Sequence, residues 1–430
     1  MLDINFIREN KKKVETACTN KGLNPKVVGN LLEIDIKRRQ LMGTVQVLRA
    51  QRNTLNDKLK QKRTDDLLKK AAEQKKALQD IEPQLKQTET EFGQLMLQVP
   101  NVPLDDVPIG KDESGNRQVK TWGEKPRFDF KPKNHIELGT NLNMLDLERG
   151  SKVAGFRGYY LKNDAVLMQN ALMQFALKKF VEKGYTPIIP PVITKRQTFI
   201  NSGHFPWGES EAYKLASDET DPDNEYFLSG TAEVPLVSMY AGETFKEKDL
   251  PIKMVGYSPC YRREIGNYGK DTKGFYRVHE FTKIEQVVIC KNDLNESIKW
   301  HEKMLEFSEE ILQDLGLHYQ VMLMCTGDMG EPQAKKYDLE TWMPGRNSYG
   351  ETGSDSIMTD FQARRANIKY VTSKGETKFV HMLNNTALPS VRALIAVWET
   401  YQQEDGSIKV PPVLVPYMGK EVINGENKVK

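Results

Sequence analysis

Arg277-Val278-His279-Glu280-Phe281-Thr282-Lys283-Ile284-Glu285 is the stretch on which the fold reading turns. Side chains of a strand alternate between its faces, so Arg277, His279, Phe281, Lys283 and Glu285 share one face. Val278, Glu280, Thr282 and Ile284 fall on the other. A face with that much charge is costly to bury unless it meets something charged and flat. A second β-rich run, Lys253–Arg263, leads into Tyr261-Arg262-Arg263-Glu264. Between the two runs, Ile265–Gly274 carries Gly266, Gly269, Lys270, Asp271, Lys273 and Gly274, the composition of a mobile basic hairpin loop. Two strands joined this way predict an antiparallel sheet, with the solvated face of a surface hairpin as the plain alternative.

Outward from this hairpin, strand-like runs mix with helical patterns such as Ala165–Lys183, closed by Gly184. That mixture predicts an α+β domain on an antiparallel sheet over residues 128–420, followed by a polar tail, 421–430. The first quarter of the chain has a different period. Ile34, Leu41, Leu48 and Leu55 recur every seven residues, with Val45 and Leu59 on the same seam. After the polar break Lys62-Arg63-Thr64-Asp65-Asp66 a second seam runs through Ala71, Leu78, Leu85, Phe92 and Val99. Two heptad seams separated by a short turn predict an antiparallel two-helix coiled-coil arm over about 28–99, each helix ~50 Å long. Pro83 predicts a kink or a loosened turn in the second helix. Arg38 and Arg52 fall on the first seam. The arm closes an N-terminal domain, 1–103, and the Pro-, Asp- and Gly-containing stretch 104–127 reads as a linker.

The 430 residues carry 62 Lys+Arg and 59 Asp+Glu, nearly balanced overall, yet Leu31 to Lys70 holds eleven basic residues against five acidic ones, a net of +6. That asymmetry fits either a dimerisation coiled coil with solvated charges or a basic arm that meets a nucleic-acid backbone. No stretch reaches the ~18 apolar residues of a membrane span. The four cysteines, Cys18, Cys260, Cys290 and Cys325, are far apart, against a disulfide framework or a cysteine-rich zinc site. The opening MLDINFIREN has no apolar signal segment, which leaves the cytoplasm by elimination. Gly-x-x-x-x-Gly-Lys-Ser/Thr, Gly-x-Ser-x-Gly and His-Glu-x-x-His are all missing, which disfavours a P-loop and the common hydrolase sites.

CYRRE (260–264) with RVHEF (277–281) resembles motif 2 of the class II aminoacyl-tRNA synthetases. KFVEKGYTPIIPPV (179–192) resembles their motif 1, and LNNTALPSVRAL (383–394) their motif 3. LDINFIREN (2–10), FLSGTAEVPL (227–236), YDLETWMP (337–344), YGETGSDS (349–356) and DFQARR (360–365) are similar to the seryl-tRNA synthetases in particular. The likeness covers nearly the whole chain.

That resemblance implies ATP-dependent ligation of L-serine to tRNA(Ser), and to tRNA(Sec) where it exists, through a seryl-adenylate. It implies Mg²⁺ without zinc and a homodimer joined through motif 1. Arg262 would bridge the serine carboxylate and the α-phosphate, Glu264 would accept from the adenine amino group, and Phe281 would stack under the ring. Arg392 would cap the adenine or reach the γ-phosphate. Arg263, Arg277, Val278, Thr352 and Gly353 complete the implied ATP contacts, with Glu351 and Ser354 as Mg²⁺ and phosphate contacts. Serine would be held by Thr231, Ala232, Glu233, Arg262, Glu285, Asn384 and Thr386, and tRNA by Arg38, Arg49 and Arg52. A carboxylate is already ionised at neutral pH, so the reaction needs positioning and charge stabilisation rather than a general base. Two other readings stand beside this one: a catalytically silent paralogue serving as an RNA-binding or regulatory subunit, and a ligase charging a carrier protein. The chain departs from the family at Asn385, Ala387 and Val391, where many class II enzymes have glycines. Gly353 and Asp355 stand where small hydroxyl or thiol residues are common, and Asp355 either supports a metal or faces solvent.

Overall fold

The computed structural model describes residues 1–216, 221, 225–265 and 274–425. Most of the expected basic loop, residues 266–273, lies outside the described residues, as do 426–430 of the expected tail. The chain divides into two units, Met1–Pro100 and Asn101–Lys430.

The first unit is helical. Two short helices, α1 (Ile4–Glu9) and α2 (Lys11–Asn20), precede α3 (Lys26–Gln61) and α4 (Asp65–Leu97). At 1.5 Å per residue, the 36 residues of α3 extend ~54 Å. Val45 and Leu78 are buried along the seam. Thr64 in the polar break starts α4, its hydroxyl accepting from the Leu67 N–H at 3.4 Å, and Asp65 and Asp66 suit the positive end of the helix dipole. α4 continues through Pro83, which costs it one backbone donor without ending it. Asp35 is buried and gathers three arginines: Arg8 on α1, and Arg38 and Arg39 one turn further along α3.

The second unit is built on an eight-stranded sheet. Its strands are β1 (Arg117–Trp122), β2 (Thr186–Ile188), β3 (Ile252–Tyr261), β4 (Glu280–Cys290), β5 (Tyr319–Leu323), β6 (Lys335–Met343), β7 (Ser348–Thr359) and β8 (His381–Pro389). Their order across the sheet is β1-β5-β6-β7-β8-β4-β3-β2. All neighbours are antiparallel except the last, where β2 runs parallel to β3. The α+β antiparallel expectation is borne out. Five helices matter for the site: α5 (Asp164–Glu182), α6 (Glu233–Ser238), α7 (Leu294–Asp314), α8 (Phe361–Ala366) and α9 (Ser390–Tyr401). The core includes Phe180 of α5, Ile311 of α7 and Trp398 of α9 with inward residues of the sheet.

Three expectations need correction. Residues 104–127 are not a free linker: the Leu104 N–H donates to the Ala334 carbonyl at 2.8 Å, and β1 forms the sheet edge against β5. Pro108 and Pro126 fall outside β1, and an edge strand tolerates exposed polar side chains, which is why this stretch has a linker's composition. The expected tail begins too early, since Val422–Ile423 pairs with Ile408–Lys409 and Ile423 is buried. Finally, the strand starts at Glu280. Phe281, Lys283 and Glu285 keep the expected alternation, whereas Arg277 and His279 precede it.

Candidate active site

β3 and β4 end together, so Tyr261 pairs with Glu280 and Arg262 leaves the strand where the sheet opens. Its Nε donates to the Gly230 carbonyl at 3.1 Å, and its guanidinium lies 5.3 Å from the Phe281 ring centre. Both line a cleft with about 500 Å³ of space, part of it open to solvent, together with Glu264, Tyr276, Arg277 and Val278. Lys283, Glu351, Gly353, Thr386, Val391 and Arg392 line the rest.

Glu264 has φ 54°, in the left-handed region that a glutamate adopts only at a cost. That backbone turns its carboxylate to accept from Arg277 Nη1 at 2.7 Å, with Arg157 at 3.8 Å. Arg392, just inside α9, lies with Nη1 3.1 Å from the Glu351 carboxylate and its guanidinium 4.6 Å from the Tyr276 ring centre. Desolvation by surrounding protein would raise the Glu351 carboxyl, but Arg392, Lys336 and Arg262 outweigh it and hold it at about 2. Glu351 is therefore an anion throughout the physiological range.

The floor of the cleft continues into a small polar pocket. Lys283 Nζ donates to the Thr231 hydroxyl at 2.8 Å and the Thr386 hydroxyl at 2.9 Å, and pairs with Glu285. The Thr386 hydroxyl donates to Glu285 Oε2 at 3.0 Å. Glu233 opens α6 immediately after Ala232, and its Oε1 accepts from Gln362 of α8 at 2.7 Å and Asn384 at 2.8 Å. Burial pushes the Glu233 carboxyl up from 4.5 to about 7, with the Gln362 bond opposing. Burial also pushes Glu285 upward, with Lys283 opposing. Gly256, opposite Glu285, lets α6 come this close: a Cβ there would stand 2.6 Å from the Ala232 Cβ.

Not every expected residue joins this cluster. Arg263 turns away, its Nη1 donating to the Ser210 carbonyl at 3.2 Å. A register shift between Leu339 and Glu340 sends Thr352 to the rear, where its hydroxyl meets that of Thr341 at 2.6 Å. Ser354 pairs with Thr386 across β7 and β8 on the cleft side. His279 Nδ1 sits 2.9 Å from the Arg262 carbonyl, bracing backbone instead of facing the cleft. Asp355 neither faces solvent nor joins Glu351: it is fully buried behind the sheet, beside His301 of α7, and burial holds its carboxyl well above the usual range. The alternation of β7 explains this, since Asp355 must face opposite to Ser354. In the first unit, Arg38 stacks on the Phe92 ring at 4.3 Å and pairs with Asp35; Arg49 reaches across to Glu82 at 2.9 Å; Arg52 is exposed.

Sequence reasoning missed Lys283 as a pocket residue, although its place between Phe281 and Glu285 on the alternating face could have revealed it. Tyr276, Arg157 and Gln362 gave no such signal, because each reaches the site from outside a readable strand.

Residues 1–103 match the seryl-tRNA synthetase N-terminal domain, and 213–401 match the tRNA synthetase class II core domain (G, H, P, S and T). A serine–tRNA ligase of Deinococcus radiodurans is 41% identical over 430 residues, covering 99% of each chain. That of Pseudothermotoga lettingae is 41% identical over 98% of this chain and 100% of its own. A seryl-tRNA synthetase of Pyrococcus horikoshii, solved with ATP, superposes with a TM-score of 0.90 at 37% identity, covering 98% of this chain and 99% of its own. A Naegleria fowleri cytoplasmic serine–tRNA ligase with AMP gives 0.87 at 32%, covering 99% of both. The chain belongs to the seryl-tRNA synthetase family.

Proposed function

We propose that the chain joins L-serine to tRNA(Ser), and to tRNA(Sec) where it exists, in two steps. A serine carboxylate oxygen attacks the α-phosphorus of ATP, pyrophosphate leaves, and the terminal ribose hydroxyl of tRNA then displaces AMP from the seryl-adenylate. The observation that carries this reading is the continuity of two binding surfaces. A cleft of arginines with an aromatic floor, suited to a nucleotide, opens into a pocket of two threonines, two buried glutamates and a lysine, suited to a small amino acid. In this reading Arg262 lies where the two meet and bridges the carboxylate and the α-phosphate, for which a planar two-pronged donor is suited. Phe281 stacks under the adenine, Glu264 accepts from its amino group, and Arg277 orients Glu264. Arg392 meets the far end of the nucleotide.

Thr231, Glu233, Asn384, Glu285 and Thr386 hold serine, the carboxylates drawing its ammonium and hydroxyl. A pocket built around a hydroxyl rejects alanine because its own polar groups would be left unpaired. Among the described residues no group of three or more His, Cys, Asp or Glu could hold a metal. Glu351 and Ser354 offer a held anion and a hydroxyl, which fits Mg²⁺, an ion that takes few protein ligands alongside phosphates. When bound it supplies neutralisation of phosphate charge. Arg52 and Arg49 serve as phosphate contacts on the arm. We assign the chain to the cytoplasm and to a homodimer; the exposed apolar residues between 153 and 193 support the second of these.

A silent paralogue would have no use for so complete a set of paired charges. Serine-dependent exchange of labelled pyrophosphate into ATP tests the reading, with threonine, alanine and glycine as controls. Exchange with serine above all three is expected, and a chain that shows no exchange with serine is not this enzyme.

A further inference from the structure

The two strands that carry most of the proposed serine pocket, β4 and β8, and the adjoining β7 are fastened from behind by one helix. Gln286, Asn385 and Asp355 stand opposite one another in adjacent rungs, Gln286 against Asn385 and Asn385 against Asp355. Each is the chain neighbour of a pocket-side residue: Glu285, Thr386 and Ser354. Alternation therefore turns all three away from the cleft, and all are fully buried. The Gln286 amide donates to the Met304 carbonyl and the Ser308 hydroxyl, both at 3.1 Å. The Asn385 amide donates to the same two oxygens at 2.9 and 3.0 Å. His301 Nε2 lies 3.1 Å from the Asp355 carbonyl. Residues 301, 304 and 308 fall on one face of α7, so a single rigid element grips β4, β8 and β7 together.

This grip is costly. The side-chain oxygens of Gln286, Asn385 and Asp355 have no hydrogen-bond partner among the described residues. A buried acceptor without a donor destabilises, and apolar residues of similar volume would fill the same space more cheaply. What a fully buried polar row adds over an apolar one is direction, because amides fix strand register where methyl groups slide.

We propose that Gln286, Asn385, Ser308 and His301 are positioning residues. They hold Glu285 and Thr386 at a fixed separation, with Ser354 on the adjoining strand, and so set the selectivity of the pocket for a small hydroxyl amino acid. The claim rests on the serine-activating reading, and its test keeps the two apart. Full-length Gln286→Met, nearly equal in volume, and Ser308→Ala are compared with wild type in pyrophosphate exchange. Both should raise the serine KM about tenfold, leave the ATP KM within about twofold, and narrow the preference for serine over threonine. Gln286→Met should do so without lowering the melting temperature, which a purely stabilising role does not predict. Amide hydrogen exchange over 283–287, 353–356 and 384–387 should accelerate in both variants. Unchanged KM values, equal rises for serine and ATP, or unaltered amide exchange would each overturn the proposal. If the wild-type chain activates no serine, the functional reading falls, and amide exchange alone decides whether the grip positions these strands.

Discussion

At the residue scale, the cleft pairs most of its charges internally: Arg392 with Glu351, Arg277 with Glu264 and Lys283 with Glu285. Arg262 differs: its Nε donates to the Gly230 backbone carbonyl, and among the described residues no carboxylate forms an ion pair with it, which leaves its charge for substrate. Arg262→Ala should therefore lower pyrophosphate exchange by ~10²–10³, the usual loss for one preorganised donor. A rate within threefold of wild type would move Arg262 out of the reaction. Glu233 makes a pH prediction. With its carboxyl raised to about 7, it is largely protonated at pH 6 and attracts the serine ammonium weakly. The serine KM should fall about tenfold between pH 6 and pH 8, and Glu233→Gln should flatten that slope. The linkage sign is the opposite for folding. Between ~4.5 and ~7 the folded form holds a proton that the unfolded chain has lost, so this group's contribution to stability falls as pH rises through that window. Alternation along β4 made Phe281, Lys283 and Glu285 legible as one face. Thr352, expected at the nucleotide only from the family resemblance, lies at the rear because of a bulge, a backbone event that no residue type announces.

Elements were more legible than single side chains. The seven-residue period marked α3 and α4 because a seam between two long helices repeats many times, and the polar break from Lys62 to Asp66 marked the turn. β1 was not legible, since an edge strand with five exposed residues has no apolar alternation to read. The separation of helical and sheet units carries a prediction. All residues proposed for adenylate formation belong to the second unit, whereas the +6 stretch belongs to the first. Deleting residues 31–97 should leave exchange within about threefold of wild type and reduce transfer to tRNA by orders of magnitude. Binding through phosphates should also weaken steeply with salt. Single reversals should not behave alike. Arg52→Glu changes an exposed charge and should weaken tRNA binding without altering helicity, while Arg38→Glu would set an anion against Phe92 and buried Asp35 and unsettle the root of the arm. If exchange and transfer fall together on deletion, the two units do not divide the labour.

Across the whole molecule, exposed apolar side chains concentrate in the part of the chain that contains α5. Single exposed hydrophobics are ordinary on a monomer. Here, among the described residues, eight of the fifteen large exposed hydrophobics of the second unit fall between 153 and 193: Val153, Phe156, Tyr160, Val166, Leu167, Val181, Ile189 and Ile193. Ile189, 78% exposed, follows directly on β2, the strand that ends the sheet. β2 pairs with Met254–Gly256 of β3, and Gly256 stands both opposite Glu285 and against Ala232. A second copy of the chain covering this region would thus brace, through β2 and β3, the strand that bears the amino-acid pocket. Sedimentation at micromolar concentration should show a dimer. Ile189→Asp with Leu167→Glu should shift it to monomer, because two buried charges without partners cost more than an interface of ordinary size can absorb. The monomer should lose exchange activity as well, with serine affinity falling more than ATP affinity, since β3 reaches the serine pocket through Gly256. A wild-type chain that sediments as a monomer with full activity would leave the exposed apolar surface without this explanation.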